Sequence, residues 1–181
     1  MSSRHFFQTT PFYKAQLNSG VSYEESIQVL KLEPNIYERI GKEDGFMKLS
    51  EIFYEKVFND TEPWFVNIFS SSTKQEAIDN QYRFFVQTFG GPDLYKEKKG
   101  KFTRLAGRHA NYPIGSKGAN RWIALMISSM EEHTALENDD TARFHLEKYF
   151  RYTAHYIVAA MQYMRSDQLS GGTQVDSGRY W

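Results

Sequence analysis

The sequence contains no cysteine. This absence excludes disulfide bonds, thiolate metal ligands, iron–sulfur clusters and cysteine nucleophiles. Any metal held by the protein must therefore be bound through histidine, carboxylate or tyrosine side chains.

The chain also lacks net charge and long apolar runs. Lys plus Arg total 22 and Asp plus Glu total 22, so there is no net field that would attract nucleic acid or an anionic membrane. The N-terminus has no apolar run of signal-peptide length, and no segment approaches the roughly 20 apolar residues that span a bilayer. We expect a cytoplasmic protein with neither a nucleic-acid nor a membrane partner.

No run of alternating β-branched residues predicts a strand, whereas helical spacing of apolar residues is common. One stripe begins at Phe46 and another at Ala119. A capping box at Thr73 and Glu76 predicts the start of a helix that ends at Gly90, and Ser116 is a candidate cap for the Ala119 helix. A last long helix is expected from about Thr141 to Met164. The sequence predicts an all-α fold.

Composition divides the chain into three parts. Residues 1–34 have no strong periodicity and are expected to form an N-terminal extension, although "YEESIQVLKL" could form a short helix. The helical domain is expected at 35–165, and the Gly/Ser-rich residues 166–181 are expected to be a flexible tail. Within the domain, the Lys/Gly-rich stretch 95–103 is interpreted as a loop.

Three polar-tipped residues fall on apolar stripes of different predicted helices: Gln81, Tyr54 and Trp122. Each buried polar group without a partner costs about 1 to 3 kcal/mol, so each either has a partner or faces a pocket. A core glutamine with a neighbouring partner, or a tyrosine that reaches solvent, explains them equally well at this point. Sequence spacing alone does not decide whether the three converge.

His109 lies in the stretch "LAGRHANYPIG", where Pro113 and Gly115 limit it to a short helix or turn. A lone histidine is more often structural or exposed than a metal ligand. The other histidines show no spacing typical of a zinc site. A cofactor that brings its own four ligands, as haem does, needs only one histidine.

The run from Asn80 to Trp122 resembles the truncated globins, the two-over-two helical haem proteins, and specifically their second group in its plant-like form. The joint occurrence of "GGPDLY", "RHANYPI" and a tryptophan 13 residues after the histidine carries the resemblance. It implies a two-over-two helical sandwich around haem b, with His109 as the iron ligand. It further implies that Tyr54, Gln81, Trp122 and Ala77 line the distal side, that Phe69 packs on the haem face, and that Arg108 and Tyr95 lie near the haem propionates.

Under this resemblance the function is reversible binding of dioxygen, nitric oxide or carbon monoxide at a His-ligated iron, with slow ligand release. It serves either storage or sensing, or detoxification of nitric oxide or peroxide. Enzymatic turnover, as a nitric oxide dioxygenase or a peroxidase, stays undecided. The chain has no GxGxxG dinucleotide motif, so electrons would come from an external reductase. The sequence is compatible with either a monomer or a homodimer. The alternatives are a cofactor-free helical interaction domain and a protein that sequesters fatty acids or other apolar ligands.

Overall fold

The computed structural model describes residues 10–100, 105–109, 112 and 114–169, and this part of the chain contains helices and no strand. The all-α prediction is therefore confirmed. The helices are α1 Pro11–Ser19, α2 Tyr23–Ser26, α3 Ile36–Arg39, α4 Lys42–Phe58, α5 Pro63–Val66, α6 Lys74–Thr88, α7 Leu94–Lys99, α8 Leu105–His109, α9 Ser116–Glu131, α10 Thr134–Glu137 and α11 Asp140–Leu169. Short 3₁₀ turns cover Ile27–Lys31 and Asn67–Phe69.

The four long helices build the main core. Helix α4 packs against α6 and α9 packs against α11, while α9 also contacts α4. The predicted stripe of α4 is buried along its whole length, from Phe46 through Phe53 to Val57. Phe46 meets Phe85 of α6, and Phe85 packs on Phe150 of α11, so the interior between the two helix pairs is largely aromatic.

Both ends of α6 follow the predicted signals. Thr73 Oγ1 accepts a hydrogen bond from the Glu76 N–H, and the Glu76 carboxylate accepts one from the Thr73 N–H, which completes the capping box. At the other end Gly90 adopts a φ of 100°, and a Cβ on Gly91 would lie 2.6 Å from the Tyr37 ring. Only glycine fits at Gly90 and Gly91, and these two glycines allow the chain to turn sharply after α6.

Three sequence expectations about helix boundaries are wrong. The expected loop at 95–103 instead begins with α7, which ends where Gly100 takes a φ of 75°; residues 101–104 lie outside the described part. Ser116 is the first residue of α9 rather than its cap, since Gly115 holds the N-cap position without a side-chain bond. Helix α11 runs to Leu169, beyond the expected end at Met164, and thus into the predicted tail.

The N-terminal extension is helical from Pro11, and it packs on α11. Thr10 caps α1 by accepting a hydrogen bond from the Tyr13 N–H, and Ser22 caps α2 in a second capping box. Ala15 and Val21 are buried against Tyr152 and Tyr156 of α11. The division of the chain at residues 34 and 165 stays a prediction, and residues 170–181 of the predicted tail lie outside the described part.

Candidate ligand-binding cavity

A cavity of about 380 Å³ lies between α4, α6, α9 and α11 and is completed by α8 and short segments. This volume falls within the roughly 300 to 1,000 Å³ typical of small-molecule sites. Five phenylalanines from four parts of the chain supply much of the wall: Phe65, Phe69, Phe84, Phe85 and Phe150. The wall is therefore suited to a flat, largely apolar ligand.

His109, the last residue of α8, lines the cavity from one side. Its Nδ1 lies 2.7 Å from the Leu105 carbonyl oxygen. Because a carbonyl only accepts, Nδ1 must carry the proton and donate, which leaves the lone pair of the neutral ring on Nε2. A metal ligand is commonly prepared in this way, since a hydrogen bond from one ring nitrogen fixes both the tautomer and the orientation of the other.

Tyr54 lines the same cavity from α4 and is 8% exposed. Its ring packs edge-on against Phe53 at 5.0 Å between centroids and lies 6.1 Å from the Phe69 ring. Burial raises the pKa of its phenol above the ordinary value, with a smaller contribution from Tyr112. A tyrosine is protonated at neutral pH in any case, so Tyr54 can act as a hydrogen-bond donor, and burial extends this state to still higher pH.

Two further polar groups reach the cavity from other helices. Gln81 of α6 lines it, and its Oε1 is buried with no hydrogen-bond partner among the described residues. Trp122 of α9 also lines it, held between Phe53 at 5.2 Å and Phe150 at 5.7 Å between ring centroids. Ala77, one turn before Gln81 on α6, adds a small apolar contact. The three polar residues that the sequence left open thus converge on one space.

The remaining predicted site residues divide into those described and one that is not. Phe69 lies on the cavity wall beside Phe65, at 5.3 Å between ring centroids. Tyr95 of α7 is buried and lies edge-on to Phe84 at 5.5 Å. The side chain of Arg108 lies outside the described part of the chain.

Sequence reasoning did not single out several other cavity residues. Asn80 lines the cavity next to Gln81, and its Oδ1 is also buried without a partner among the described residues. Lys99 of α7 contributes a cationic side chain, and Tyr149 and Thr153 contribute hydroxyls from α11. Asn80 lies about 100° around α6 from Gln81 and outside the apolar stripe, so the helical spacing gave no signal for it. Lys99 belongs to a lysine-rich stretch in which no sequence feature marks one lysine from another.

An ion pair holds the helix that carries Trp122. Asp60, just after α4, accepts two hydrogen bonds from the Arg121 guanidinium, at 2.9 and 3.1 Å, and its side chain is only 1% exposed. The bonds from Arg121 lower the pKa of the Asp60 carboxyl despite its burial. A bidentate pair of this kind fixes orientation as well as distance. It ties α4 and α9 together beside the cavity that both helices line.

Apolar walls, one oriented imidazole and several hydrogen-bonding side chains on a single cavity are typical of a helical protein that binds an apolar cofactor. Comparison with known proteins identifies the family: the bacterial-like globin profile matches residues 35–156, and the chain belongs to that family. Membership implies haem as cofactor and a diatomic gas as ligand.

Two plant proteins similar in sequence to this chain are also truncated hemoglobins. The chain is 39% identical to the two-on-two hemoglobin-3 of Arabidopsis thaliana over 146 residues, which cover 81% of this chain and 80% of that protein. It is also 39% identical to the group 2 truncated hemoglobin 3-1 of Lotus japonicus over 150 residues, 83% of this chain and 86% of that protein. The truncated-globin resemblance is thereby confirmed.

Solved structures share the fold. The hemoglobin of Chloroflexus aurantiacus superposes with a TM-score of 0.62 at 34% identity, covering 69% of this chain and 98% of that one. The truncated oxygen-avid haemoglobin of Bacillus subtilis superposes with a TM-score of 0.58 at 32% identity, covering 67% of this chain and 97% of that one. Among the described helices, none has the length and apolar character needed to cross a bilayer.

Proposed function

We propose that this protein would hold haem b through His109 and retain dioxygen, nitric oxide or carbon monoxide in the same cavity. The observation that carries the proposal is the hydrogen bond from His109 Nδ1 to the Leu105 carbonyl oxygen, 2.7 Å long, on the wall of the cavity. It prepares Nε2 as the electron-pair donor that an iron requires.

The residues present fit haem in two further respects. The cavity wall is mostly aromatic and aliphatic, as a porphyrin plane requires, while the Lys99 side chain supplies a cation for a carboxylate at its edge. The buried amide oxygens of Asn80 and Gln81 lack partners among the described residues. A half-turn of either amide would point its NH2 donors into the same space, where a bound molecule could accept a hydrogen bond. When bound, haem would supply an iron able to coordinate a diatomic gas, and His109 would hold that iron.

Tyr54, Gln81 and Trp122 are proposed to hold the gas in place. Their O–H and N–H groups would donate hydrogen bonds in a cavity with a mostly apolar lining, where such bonds are stronger than in bulk water. Ala77 offers no donor, so polar stabilisation of the ligand depends on the other three. Each bond of about 1 to 1.5 kcal/mol changes a dissociation constant roughly tenfold, and several together make release slow.

Slow release favours storage, sensing or chemical conversion of the gas over bulk transport. Conversion of nitric oxide to nitrate, or reduction of peroxide, would require electrons from an external reductase, because the chain has no dinucleotide-binding motif of its own. Consumption of nitric oxide, measured with and without an added reductase, distinguishes conversion from storage.

The test is the absorption spectrum of the purified protein, compared with His109→Ala and with His145→Ala as a control on α11. We expect an intense near-ultraviolet haem band in the wild type and in the control. In His109→Ala we expect a displaced ferrous spectrum that added imidazole restores. A colourless protein that hemin does not reconstitute would instead support a cofactor-free helical interaction domain. If His109→Ala bound hemin with the same affinity and the same spectrum as the wild type, the result would support simple sequestration of apolar molecules.

A further inference from the structure

Helix α8, which carries His109, is too short to be stable by itself. It has five residues, Leu105–His109, whereas isolated helices shorter than about 12 residues are marginal in water. The position of His109 is therefore determined by whatever packs on α8 and on the residues that follow it. The hydrogen bond of His109 Nδ1 is made within α8 itself, to Leu105, so the imidazole moves with the helix.

Helix α8 and the N-terminal extension pack on the same helix, α11. Phe12 of α1 contacts Tyr156 of α11, with 5.1 Å between ring centroids, and packs against the buried cluster that includes Ala15 and Tyr156. Ala106, three residues before His109, packs against the same cluster. The cluster is apolar and includes large aromatic rings, so truncation of Phe12 loosens the surface on which Ala106 packs.

The end of α11 contacts Tyr112, three residues after His109. The Arg165 guanidinium donates a hydrogen bond to the Tyr112 carbonyl oxygen at 3.3 Å. Tyr112 in turn donates its backbone N–H to the His109 carbonyl oxygen at 2.9 Å, and its side chain lines the cavity. A shift of Arg165 would therefore be transmitted to the backbone of His109 through two hydrogen bonds.

Both contacts come from outside the matched globin region. Phe12 and Arg165 lie on either side of residues 35–156. The bacterial structure from Chloroflexus aurantiacus aligns over 98% of its own length but only 69% of this chain. We propose that the two terminal segments form a clamp, Phe12 against the Ala106 cluster and Arg165 on Tyr112, that positions the His109 helix relative to the cofactor. Phe12 and Arg165 are then positioning residues for iron ligation.

This inference rests on the proposed ligation by His109, and its test separates the two. The haem-loaded protein is prepared as Phe12→Ala and Arg165→Ala. The matched controls are Leu17→Ala, on the exposed side of the same α1 helix, and Arg143→Ala, an arginine of α11 that pairs with Asp140. Three properties are compared: the iron–histidine stretching band of the ferrous ligand-free protein, the rate of haem transfer to excess apomyoglobin, and amide hydrogen exchange at residues 105–109.

We expect Phe12→Ala to shift or broaden the stretching band and to speed haem loss by about three- to tenfold, because a truncated ring leaves α8 less constrained. Arg165→Ala should change both properties in the same direction by about twofold, as expected for one exposed hydrogen bond. Exchange at 105–109 should become faster in both variants. The two controls should match the wild type.

An unchanged band, haem-loss rate and exchange in Phe12→Ala and Arg165→Ala would overturn the clamp while leaving ligation by His109 intact. If the wild type showed no iron–histidine band, ligation by His109 would be wrong, and the exchange at 105–109 alone would then decide whether the terminal segments hold α8. Should Phe12→Ala fail to fold, Phe12→Leu keeps an apolar side chain but removes the ring contact, and the same three comparisons apply.

Discussion

Tyr54 shows how burial prepares a single residue for function. Its ring packs against Phe53 and Phe69, and burial raises the pKa of a phenol that is already protonated at neutral pH. A phenol in contact with water would donate mainly to water and would gain little from a weakly basic ligand. Because Tyr54 lies on the cavity wall, its hydroxyl can donate a hydrogen bond to a ligand bound in the cavity.

At the residue scale, Tyr54→Phe and Trp122→Phe should each speed dioxygen release. Each change removes one hydrogen-bond donor from the cavity, and a loss of about 1 kcal/mol raises the release rate roughly fivefold. Stopped-flow measurement of dioxygen dissociation tests this. Tyr82→Phe is the control, because Tyr82 is a buried tyrosine of α6 that does not line the cavity. Equal rates in all four proteins would show that neither donor contacts the ligand.

Two tyrosines on α11 make a matched pair for stability. The Tyr152 hydroxyl is buried with no hydrogen-bond partner among the described residues, whereas the Tyr149 hydroxyl is hydrogen-bonded with Thr153. Removing an unpaired buried hydroxyl relieves a desolvation cost. Removing a paired hydroxyl leaves its partner without a hydrogen bond, which lowers stability. We expect Tyr152→Phe to raise the free energy of unfolding by up to about 1 kcal/mol and Tyr149→Phe to lower it by about 1 kcal/mol. Urea unfolding measures both, and a loss of stability in Tyr152→Phe would contradict the prediction.

How far single residues were predictable depends on where their signal lies. Tyr54 and Gln81 stand out because a polar tip on an apolar stripe is visible in the helical spacing itself. Asn80 and Lys99 also line the cavity, but only because of the way α6 and α7 pack in the fold. The spacing of apolar residues along the sequence gives no information about that packing. The roles assigned to His109, Phe69 and Arg108 came from the resemblance, since local physics left His109 as an ordinary histidine or a ligand.

At the element scale, the sequence offered similar caps for two helices, and only one forms. Thr73 makes the reciprocal bonds with Glu76 at the start of α6, while Ser116 is the first residue of α9 and makes no cap bond. A serine or threonine before an apolar stripe is the same local signal in both places. The two helices differ at the position three residues after the candidate cap. Glu76 follows Thr73 and can complete a capping box, whereas Ala119 follows Ser116 and has no side-chain acceptor.

Thr73→Ala and Ser116→Ala test this difference. Loss of the cap bond in Thr73→Ala should lower the free energy of unfolding by about 0.5 to 2 kcal/mol. Ser116→Ala should change it by less than about 0.5 kcal/mol, because the exposed serine hydroxyl caps nothing. Chemical denaturation of both variants measures the pair. Equal destabilisation would mean that the serine contributes a cap after all.

Short helices were the least predictable elements. Helix α7 was expected to be a loop because its Lys/Gly-rich sequence has no apolar stripe, yet Leu94 and Tyr95 anchor it on α6 and the core. Helices α1 and α2 likewise owe their order to packing on α11 rather than to periodicity. Short segments derive most of their stability from tertiary contacts, so local sequence carries little of the information. The long helices were predicted well, because each contains several turns of one stripe.

At the scale of the whole molecule, the globin region and the terminal segments share one long helix. Helix α11 lines the cavity through Phe150 and buries Tyr152 and Tyr156 against the N-terminal segment. Lys148 of α11 also pairs with Glu25 of α2 at 2.6 Å. Stability of the cavity and stability of the extension are therefore linked, because both depend on the same 30-residue helix.

Buried histidines make the stability of the whole fold depend on pH. Burial lowers the pKa of His133, which donates from Nε2 to the Gly45 carbonyl oxygen at 3.0 Å, and of His155 on α11. The Nδ1 atoms of both are buried without partners among the described residues, so a proton added there has no acceptor. Because the folded pKa lies below the unfolded value of about 6.5, the unfolded chain takes up protons first as the pH falls.

The free energy of unfolding should therefore be constant at pH above about 7 and should fall as the pH drops below 6.5, by at most about 1.4 kcal/mol per pH unit for each histidine. Urea unfolding from pH 8 to pH 5 measures the decline. His155→Gln removes one titrating group, so its curve should run parallel to that of the wild type at pH 8 and decline less steeply below pH 6.5. Parallel curves down to pH 5 would mean that His155 has the same pKa in the folded and unfolded states, in which case its burial does not oppose protonation.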